Sequence, residues 1–370
     1  MLWFIKIKII NLYLFMATFS FNSQAFGLDI SDFSLKIAML EKDKNDLKLA
    51  SFGRANIVSG IIEKGEIKNE ERLSEIIKNT LGQIKGKKIR IKYVIASLPE
   101  EKSFLDRVRL PLMGQKEIKT AIRFEIENYI PFPLEKVYFD FDKIQQNYEN
   151  YQEVLIAAIP KDISESYLRV LKKAGLQPLA LEPECLSISR ALIKKNEIIS
   201  PVLIIDLGKT RTTFIFFSEN NIKFTSTIPF SSGQLTSAIS EKIKVSLEEA
   251  EKIKCEEGII GKKEISEILI PLLNNFAKKT QGLLEYYNFH QNKNSHSTMS
   301  LEKILLCGRG ANLKGLEDFL SVFFKTKVIL GNPWINILKT PLKQTPEISF
   351  KESLGYASAL GLALRGIDKN

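Results

Sequence analysis

The chain has 370 residues, of which 44% are hydrophobic and 26% charged, and this excludes a largely disordered protein and allows two or more hydrophobic cores. A formal net charge of +10 suits nucleic acid or an anionic membrane face, yet no lysine and arginine run is interleaved with aromatic residues, so we expect no nucleic-acid partner. Three scattered cysteines without a CxxC spacing argue against a disulfide framework or a zinc site and favour a reducing cytosol.

The first 25 residues allow two interpretations. Lys6 and Lys8 precede an apolar run that ends in SQA, which imitates a secretory signal peptide. The stretch is too short and too interrupted for a transmembrane helix. Alternatively, Met16 is the true start and residues 1–15 are an extension. We prefer the second interpretation, because a buried-strand pattern begins at Gly27 and secretion would place a protein of cytosolic character outside the cell.

The next segment is predicted to be a compact β-β-β-α-β unit. FGLDISDFSLKIAMLEK is typical of strand, polar turn and strand, and LKLASFGRANI of a third strand. ERLSEIIKNTLGQIKGK has apolar residues at helical spacing, with Gly86 as a stop signal. KIRIKYVIASLP alternates and then becomes apolar, as a strand entering a core does. This unit covers Gly27 to Leu98.

A second compact unit, in the order β-α-β-β-α-β, follows as an insertion. Its strands are predicted in FLDRVRLP, KVYFDFDKIQ, QEVLIAAIP and LQPLALEP. An amphipathic helix in GQKEIKTAIRFEIENYIPFP is closed by Pro131 and Pro133, and a second helix ends at Gly175. Glu125 and Glu127 lie on the first helix and are interpreted as surface charges, so no catalytic residue is assigned.

The second half of the chain repeats the opening pattern. SPVLIIDLGKTRTTFIFF is a buried strand, a polar turn and another buried strand. Helices are predicted in SLEEAEKIKCEEG, in ISEILIPLLNNFAKKTQGLLEYYNFH and in SFKESLGYASALGLALRG. Because LDISDFSLKIAM and IDLGKTRTTFIF open the two halves alike, we infer a duplicated domain. A ligand between the two copies would meet one hairpin from each side.

The two hairpin turns carry residues suited to a metal-bound phosphate. Backbone N–H groups of a tight turn form a nest for phosphate oxygens, and Gly208 permits the positive φ that such a turn often requires. Asp29 and Asp206 are expected to hold the waters of a hydrated Mg²⁺, and Lys36 and Lys209 to neutralise phosphate charge. Further hydroxyl donors are Ser34, Thr210, Thr212 and Thr213.

A third turn, in LLCGRGANLKGLEDF, follows an apolar strand and opens a helix. Gly308 and Gly310 let a flat ligand approach the backbone. Asn312 is predicted to cap the helix, whose N-terminus favours anionic groups. Each of the three turns is weak evidence for a phosphate-bearing ligand by itself, but three such turns in this order are much stronger evidence.

With these motifs the chain resembles the PilM family of type IV pilus assembly proteins, in the FtsA-like branch of the actin-like ATPase superfamily. GLDISDFSLK is similar to the phosphate-1 loop, IIDLGKTRTTF to phosphate-2 and LLCGRGANLKGL to the adenosine motif, while AIRFEIENYIPFPLEKVYFDF is the most PilM-specific stretch. The resemblance covers Gly27 to about Gly366. It implies an α/β actin-like ATPase fold of duplicated ribonuclease-H-like domains, with an inserted 1C subdomain in place of actin's 1B. The implied bounds are 1–25 for a leader, 26–102 and 184–198 for subdomain 1A, 103–183 for 1C, 199–234 and 300–370 for 2A, and 235–299 for 2B.

Three departures from the family pattern concern the nucleotide. Ser31 stands where phosphate-1 usually has glycine, and it is kept among the expected cofactor contacts. Asp32 and Phe33 replace small residues, and the charge of Asp32 is expected to weaken ATP binding unless Mg²⁺ or Lys36 compensates. Arg309 interrupts the usual paired glycines, and its guanidinium either stacks on adenine or lies outside the site. Whether ATP is hydrolysed is left open.

The resemblance implies a cytoplasmic ATP-binding scaffold, peripheral to the inner membrane. Its partner would be the cytoplasmic N-terminal tail of PilN, bound in a groove of subdomains 1A and 1C, with PilO, PilP and the pilus motor as indirect partners. ATP would close the cleft between the halves and so alter the groove. Self-association through the edge of the long helix and contact of the basic surface with anionic lipids are further expectations.

Two other functions stay open at this stage. An FtsA-like division protein would need a membrane anchor, and LALRGIDKN has no amphipathic pattern. A small-molecule kinase of the same superfamily would need a catalytic base and a substrate pocket, for which the sequence offers no candidate.

Overall fold

The computed structural model describes residues 24–43, 46–128, 130, 132–144, 150–195, 197, 200–291, 301–338 and 345–367. They fall into two compact units, the first taken from residues 1–196, 333–346 and 356–370 and the second from 197–332 and 347–355. Residues 1–23 of the predicted leader, with Met16, lie outside the described residues.

Groups of strands and groups of helices follow one another along the described chain. The strands are β1 (Phe26–Ser31), β2 (Ser34–Asp43), β3 (Asp46–Asn56), β4 (Ile62–Glu63), β5 (Glu66–Ile67), β6 (Lys85–Gly86), β7 (Tyr93–Leu98), β8 (Phe104–Pro111), β9 (Val137–Lys143), β10 (Tyr151–Pro160), β11 (Gln177–Pro183), β12 (Val202–Leu207), β13 (Thr212–Ser218), β14 (Asn221–Ile228), β15 (Lys303–Cys307) and β16 (Lys327–Leu330). The helices are α1 (Glu70–Gly82), α2 (Gln115–Glu125), α3 (Lys161–Lys173), α4 (Glu184–Leu192), α5 (Ser232–Ile243), α6 (Leu247–Glu257), α7 (Lys263–Gln291), α8 (Leu316–Phe324), α9 (Phe350–Ser353) and α10 (Ala357–Ile367).

The first unit is built on a six-stranded sheet with the order β11-β7-β1-β2-β3-β6. β1, β2 and β3 are antiparallel neighbours, whereas β7 and β11 run parallel to β1. Strands β1 and β7 are almost continuously buried, as expected for parallel strands covered on both faces. Helix α10 packs on this sheet, and a Cβ atom at Gly27 of β1 would lie 2.6 Å from the backbone nitrogen of Ala363. Close backbone approach therefore explains the small residues of both elements.

The inserted part of the first unit has a separate sheet and core. Three antiparallel strands are ordered β8-β10-β9. Apolar residues of α2, among them Ile118 and Ile122, join Val108, Val154 and Ile156 of the sheet in one buried cluster. The amphipathic α2 thus covers one face of the small sheet.

The structure divides the inserted segment differently from the sequence. β11, which we expected in the insertion, pairs with β7 in the six-stranded sheet. Helix α3 lies beside α1, where Arg169 and Lys173 contact the Glu70 carboxylate. Local patterns show that a strand and a helix exist, but they do not show which sheet a strand joins. The edge position of β11 also accommodates Pro178, which cannot donate a backbone hydrogen bond.

The second unit is built on a five-stranded sheet with the order β14-β13-β12-β15-β16. β12, β13 and β14 are antiparallel, while β15 and β16 run parallel to β12. Phe214 and Phe216 of β13 stack on Phe276 and Tyr287 of α7 in a large core. This arrangement repeats the first unit strand for strand, so that β1, β2, β3, β7 and β11 correspond to β12, β13, β14, β15 and β16. The predicted duplication is therefore seen in the topology.

The C-terminal helix α10 also differs from the sequence assignment. We expected residues 300–370 to belong to the second half, but residues 333–346 and 356–370 are part of the first unit. The reason is the packing of α10, which is almost entirely buried against β1, β2, β7 and α4. Separately, among the described residues no helix is both long and apolar enough to cross a bilayer.

Candidate functional site

The polar turn of the second unit joins β12 to β13 through residues 208–211. The Gly208 N–H donates to the Arg211 carbonyl at 3.0 Å, and the Gly208 carbonyl accepts from the Ser232 N–H at 2.9 Å. The Gly233 N–H donates to the Lys209 carbonyl at 3.1 Å. The turn is therefore fixed to the first turn of α5, whose N-cap is Ser231. The positive end of that helix dipole lies beside the turn.

Gly208 acts through its small size and not through its backbone angle. We expected a positive φ here, but Gly208 is absent from the glycines with positive φ. A Cβ atom at this position would lie 2.9 Å from the Arg211 carbonyl oxygen. The tight turn leaves no room for a side chain on this residue.

Asp206 is held next to the glycine-rich turn. It is opposite Cys307 in the parallel pair of β12 and β15. The Cys307 thiol points at the Asp206 carboxylate, with Sγ 3.6 Å from Oδ1. Burial, followed by the charge of Asp206, raises the pKa of the Cys307 thiol well above its ordinary value. The thiol therefore stays protonated and can donate a weak hydrogen bond to the acid.

Gly308 brings the third predicted turn against Asp206. Its φ is +77°, and a Cβ atom would overlap Oδ1 of Asp206 and lie 2.6 Å from the Leu207 carbonyl oxygen. At Gly310 a Cβ atom would lie 2.8 Å from the same Leu207 carbonyl oxygen. The acid hairpin and the glycine-rich turn thus form one surface of the second unit, although Asp206 and Cys307 are 101 residues apart in sequence.

Asn312 does not cap the following helix, contrary to the sequence prediction. The N-cap of α8 is Gly315, and Asn312 belongs to a short 3₁₀ turn at Arg309–Asn312. The Asn312 Nδ2 atom donates to the Lys351 carbonyl at 2.8 Å. The amide therefore ties the glycine-rich turn to the segment before α10.

Arg309 is exposed, and its aliphatic stem lies over Gly355. A Cβ atom on Gly355 would lie 2.7 Å from Cγ of Arg309. The guanidinium is thus carried at the surface of the glycine-rich turn, where it is close enough to Glu251 to lower the pKa of that carboxyl.

Two of the four predicted hydroxyl donors point into the unit. Thr212 is fully buried and its hydroxyl donates to the Phe230 carbonyl at 2.7 Å. Thr213 is also buried, with its Oγ1 atom 3.4 Å from Oγ1 of Thr227 on β14. Both lie on a central strand, whose two faces are covered. Thr210, at the turn itself, is half-buried, and Lys209 is exposed.

A buried lysine of α6 links this helix to the start of α5 by hydrogen bonds. Lys254 is 4% exposed, and its Nζ atom donates to Oγ of Ser232, Oγ1 of Thr236 and Oε2 of Glu251, each at 2.7 Å. Burial raises the pKa of Glu251, but the hydrogen bonds from Lys254 and Thr236 and the charges of Lys254 and Arg309 outweigh it, so the net shift is downward. A carboxylate thus stays ionised beside the glycine-rich turn.

The acid hairpin of the first unit has a comparable arrangement. Asp29 is 4% exposed and accepts from Lys36 Nζ at 2.9 Å and from the Ser97 hydroxyl at 3.3 Å. Ser97 on β7 also accepts from the Ile30 N–H at 2.9 Å. In the turn, Ser31 Oγ is 2.9 Å from Ser34 Oγ. Lys36, expected to neutralise phosphate, is therefore already the counter-ion of Asp29.

Asp32 is used inside the first unit. Its Oδ1 atom accepts from the Gly65 N–H at 3.0 Å, in the small β4–β5 hairpin. The residue is 7% exposed. We had expected its charge to act on a bound phosphate, whereas the structure uses the carboxylate to fix a neighbouring hairpin.

Asp32→Ala is accordingly expected to lower stability without strengthening ATP binding. Loss of one buried charge-assisted hydrogen bond costs about 1–3 kcal/mol. Urea unfolding and calorimetric titration with Mg·ATP measure the two effects, with Asp43→Ala, on an exposed ion pair, as the control. A clear gain of ATP affinity in Asp32→Ala would restore the sequence-based hypothesis.

Sequence reasoning missed the residues that support the two acids. Ser97 lies outside the three motifs, and Cys307 stands in the third motif without having been given a role. Each follows its strand's apolar run at the position that the parallel register brings beside Asp29 or Asp206. Glu251 and Lys254 are three residues apart on α6, which is a helical spacing. Strand register and helix spacing were the available signals.

Comparison with known proteins gives the family. A model described as type IV pilus assembly protein PilM matches residues 27–367. The chain belongs to the PilM family. A solved PilM-PilN type IV pilus biogenesis complex is similar with a TM-score of 0.76 and 25% identity, over 93% of this chain and 99% of that one. The resemblance inferred from the PilM-like motifs is confirmed.

More distant relatives share the fold. MreB5 of Spiroplasma citri bound to AMPPNP has a TM-score of 0.54 and 13% identity, over 93% of this chain and 96% of that one. The predicted actin-like ATPase fold is thus confirmed for the PilM-family chain. The cell division protein FtsA of Buchnera aphidicola is 24% identical over 198 residues, which are 47% of each protein. The chain therefore spans about half the length of that relative.

Proposed function

We propose that this PilM-family chain is an ATP-binding scaffold of a type IV pilus inner-membrane complex and binds the cytoplasmic N-terminal tail of a PilN-like protein. The observation that carries the proposal is the family match over residues 27–367, together with the similarity to the solved PilM-PilN complex. The protein would lie in the cytoplasm, peripheral to the inner membrane through its partner, with PilO, PilP and the motor contacted indirectly.

The nucleotide would bind at the surface that Asp206 and Gly308 form in the second unit. The lack of side chains at Gly308 and Gly310 lets the glycine-rich turn pack directly against Asp206 and Leu207, so the turn and the acid would face the same nucleotide. Turn 208–211, beside the N-terminus of α5, fits the phosphates. Ser31, Ser34, Lys209, Thr210, Arg309 and Asn312 are kept as proposed contacts. Thr212 and Thr213, whose hydroxyls bond inside the unit, would hold the turn in place without contacting the nucleotide through those hydroxyls.

Magnesium would accompany the triphosphate. Among the described residues, no group of three or more His, Cys, Asp or Glu side chains could hold a metal by itself. An ion that keeps much of its water shell needs only one or two carboxylates and the phosphates. Asp206, which Cys307 orients, fits that role through water, and Asp29 would do the same from its hairpin. The bound Mg²⁺ would neutralise phosphate charge.

The partner tail would bind on the first unit. Three large apolar side chains of its inserted part are exposed, namely Phe124 (79%), Leu112 (58%) and Phe132 (42%). Contiguous apolar patches on a surface typically mark protein contacts, and we assign these three side chains to such a patch. An extended peptide could use them as pockets or anchors for alternate side chains. Binding of Mg·ATP would change the affinity for the tail, and by linkage the tail would change the affinity for Mg·ATP.

The test is fluorescence anisotropy with a labelled synthetic peptide of the cognate PilN tail. We expect saturable binding by the full chain, a dissociation constant that shifts when Mg·ATP is added, and a loss of about tenfold or more in Phe124→Glu, because a charge must be desolvated. The control is Val322→Glu, since Val322 in the second unit is also 79% exposed. No binding up to about 1 mM peptide, or equal losses in both variants, would contradict the proposal.

A further inference from the structure

The segment that leads from β6 into β7 is strongly basic. From Ile76 to Pro99 the chain has six cations and no acidic residue. We call residues 85–92 the basic strip. Its five cations, all of them exposed, are Lys85, Lys87, Lys88, Arg90 and Lys92.

The strip is fixed at both ends by hydrogen bonds. At one end, the Lys87 N–H donates to the Ala50 carbonyl at 2.9 Å, and the Ser51 hydroxyl donates to the Lys87 carbonyl. At the other end, the Lys92 carbonyl accepts from the Gln177 N–H at 2.8 Å. Between these anchors exposed cations alternate with half-buried Ile89 and Ile91. This alternation exposes Lys88, Arg90 and Lys92 as one row and leaves the two isoleucines partly covered.

The carboxylates of Glu41 and Asp43, near the strip, form ion pairs with lysines other than Lys88 and Lys92. Glu41 accepts from Lys87 and also pairs with Lys48, which in turn contacts Asp43. The Lys87 hydrogen bond, which outweighs the modest burial, is the largest cause of the lowered pKa of Glu41. Among the described residues, no carboxylate forms an ion pair with Lys88, Arg90 or Lys92. Three cations therefore face solvent with their charge uncompensated.

The strip lies away from the proposed nucleotide contacts of its own unit. It enters β7 at Tyr93, and β7 runs parallel to β1 with Phe26 beside Val94. It therefore lies at the amino-terminal end of β1. The Asp29 hairpin lies at the carboxyl end of the same strand. Neutralising nucleotide phosphates does not explain these cations.

We propose that the basic strip is a contact surface for an anionic lipid bilayer. Three exposed cations that alternate with half-buried residues suit a flat array of anionic headgroups. The strip contains no aromatic side chain, whereas single-stranded nucleic acid favours aromatic stacking platforms. The inference goes beyond the proposed function, because it assigns the chain a membrane contact of its own.

The experiment is vesicle flotation of the full chain without nucleotide or partner peptide. Vesicles of phosphatidylcholine alone are compared with vesicles that also contain phosphatidylglycerol. We expect binding only to the anionic vesicles, weakened at high salt. Because each basic residue near such a surface contributes about 1 kcal/mol, K88E/R90E/K92E is expected to lower partitioning on the order of 100-fold. A labelled DNA duplex in the same buffer is the second probe.

The control variant carries the same change in net charge elsewhere. Lys242, Lys278 and Lys279 are exposed on helices of the second unit, and K242E/K278E/K279E is expected to keep most of the binding. Equal losses of vesicle binding in both triple variants would show that net charge alone explains the binding, and this would overturn the proposal. So would retention of vesicle binding by the strip variant, which would place the lipid contact elsewhere in the chain, or strip-dependent binding of DNA without vesicle binding. Since neither ATP nor tail is present, the result is independent of the proposed function.

Discussion

Glu182→Gln is expected to destabilise the first unit by about 3–5 kcal/mol, the usual result of breaking a buried ion network. Glu182 on β11 is completely buried. Arg190 of α4 donates to its two carboxylate oxygens at 2.6 and 3.2 Å, and Arg365 of α10 contacts the same carboxylate. Arg365 is itself 5% exposed. The neutral variant would leave two guanidinium groups without their counter-charge.

The same network predicts the direction of a pH effect. Burial raises the pKa of Glu182, but the charges and hydrogen bonds of Arg190 and Arg365 outweigh it, so the net shift is downward. A carboxyl with a lowered folded-state pKa stabilises the protein above its unfolded pKa of about 4.3, and the stabilisation is lost as pH falls through the folded value. The difference in unfolding free energy between wild type and Glu182→Gln should therefore have its maximum value near neutral pH and decrease in acid.

Urea unfolding followed by tryptophan fluorescence measures this prediction, since Trp334 is buried in the first unit. Glu75→Gln is the control, because Glu75 forms only an exposed pair with Arg72 on α1, and such pairs contribute little. A Glu182 variant as stable as the Glu75 variant would show that α10 does not depend on this network.

Gly308→Ala is expected to abolish Mg·ATP binding and to destabilise the second unit. A non-glycine residue at a φ of +77° costs about 1–3 kcal/mol. The added Cβ would also overlap Oδ1 of Asp206 and approach the Leu207 carbonyl oxygen to 2.6 Å. The acid and the glycine-rich turn would have to separate, which removes the proposed surface for the nucleotide.

The matched control is Gly282→Ala. Gly282 lies within α7, and a Cβ atom there meets nothing within 4 Å. Alanine in place of a helical glycine should stabilise by up to about 1 kcal/mol. Calorimetric titration and thermal unfolding of both variants give the comparison. Wild-type ATP affinity in Gly308→Ala would mean that the nucleotide binds elsewhere.

Much of the fold could be predicted from local patterns. Buried strands such as Val202–Leu207 and Thr212–Ser218 are long apolar runs interrupted by a short polar turn, and this contrast is visible in sequence. The repeat of that hairpin in both halves predicted the duplication, which the matching strand orders of the two sheets display. Family recognition depended on the three turns taken together.

The rest could not be predicted, because it depends on contacts between distant segments. The pairing of β11 with β7 and the packing of α10 on β1 join residues far apart in the chain, and no local pattern specifies them. Similarly, a hydroxyl in a polar turn is predicted to donate to a ligand. Thr212, however, lies on a central strand, and its hydroxyl donates to the Phe230 carbonyl. The sequence predicts Asn312 as a helix cap, yet Asn312 belongs to a 3₁₀ turn and α8 begins only at Leu316.

We propose that the Asp206 hairpin and the Gly308 turn together hold a magnesium-bound nucleotide. Calorimetric titration of the full chain with Mg·ATP, in wild type and in Asp206→Asn, tests it most directly. We predict one saturable site in the wild type and none in the variant, with unchanged circular dichroism. Absence of binding in the wild type at about 1 mM ATP, or equal affinity in the two proteins, would contradict the claim.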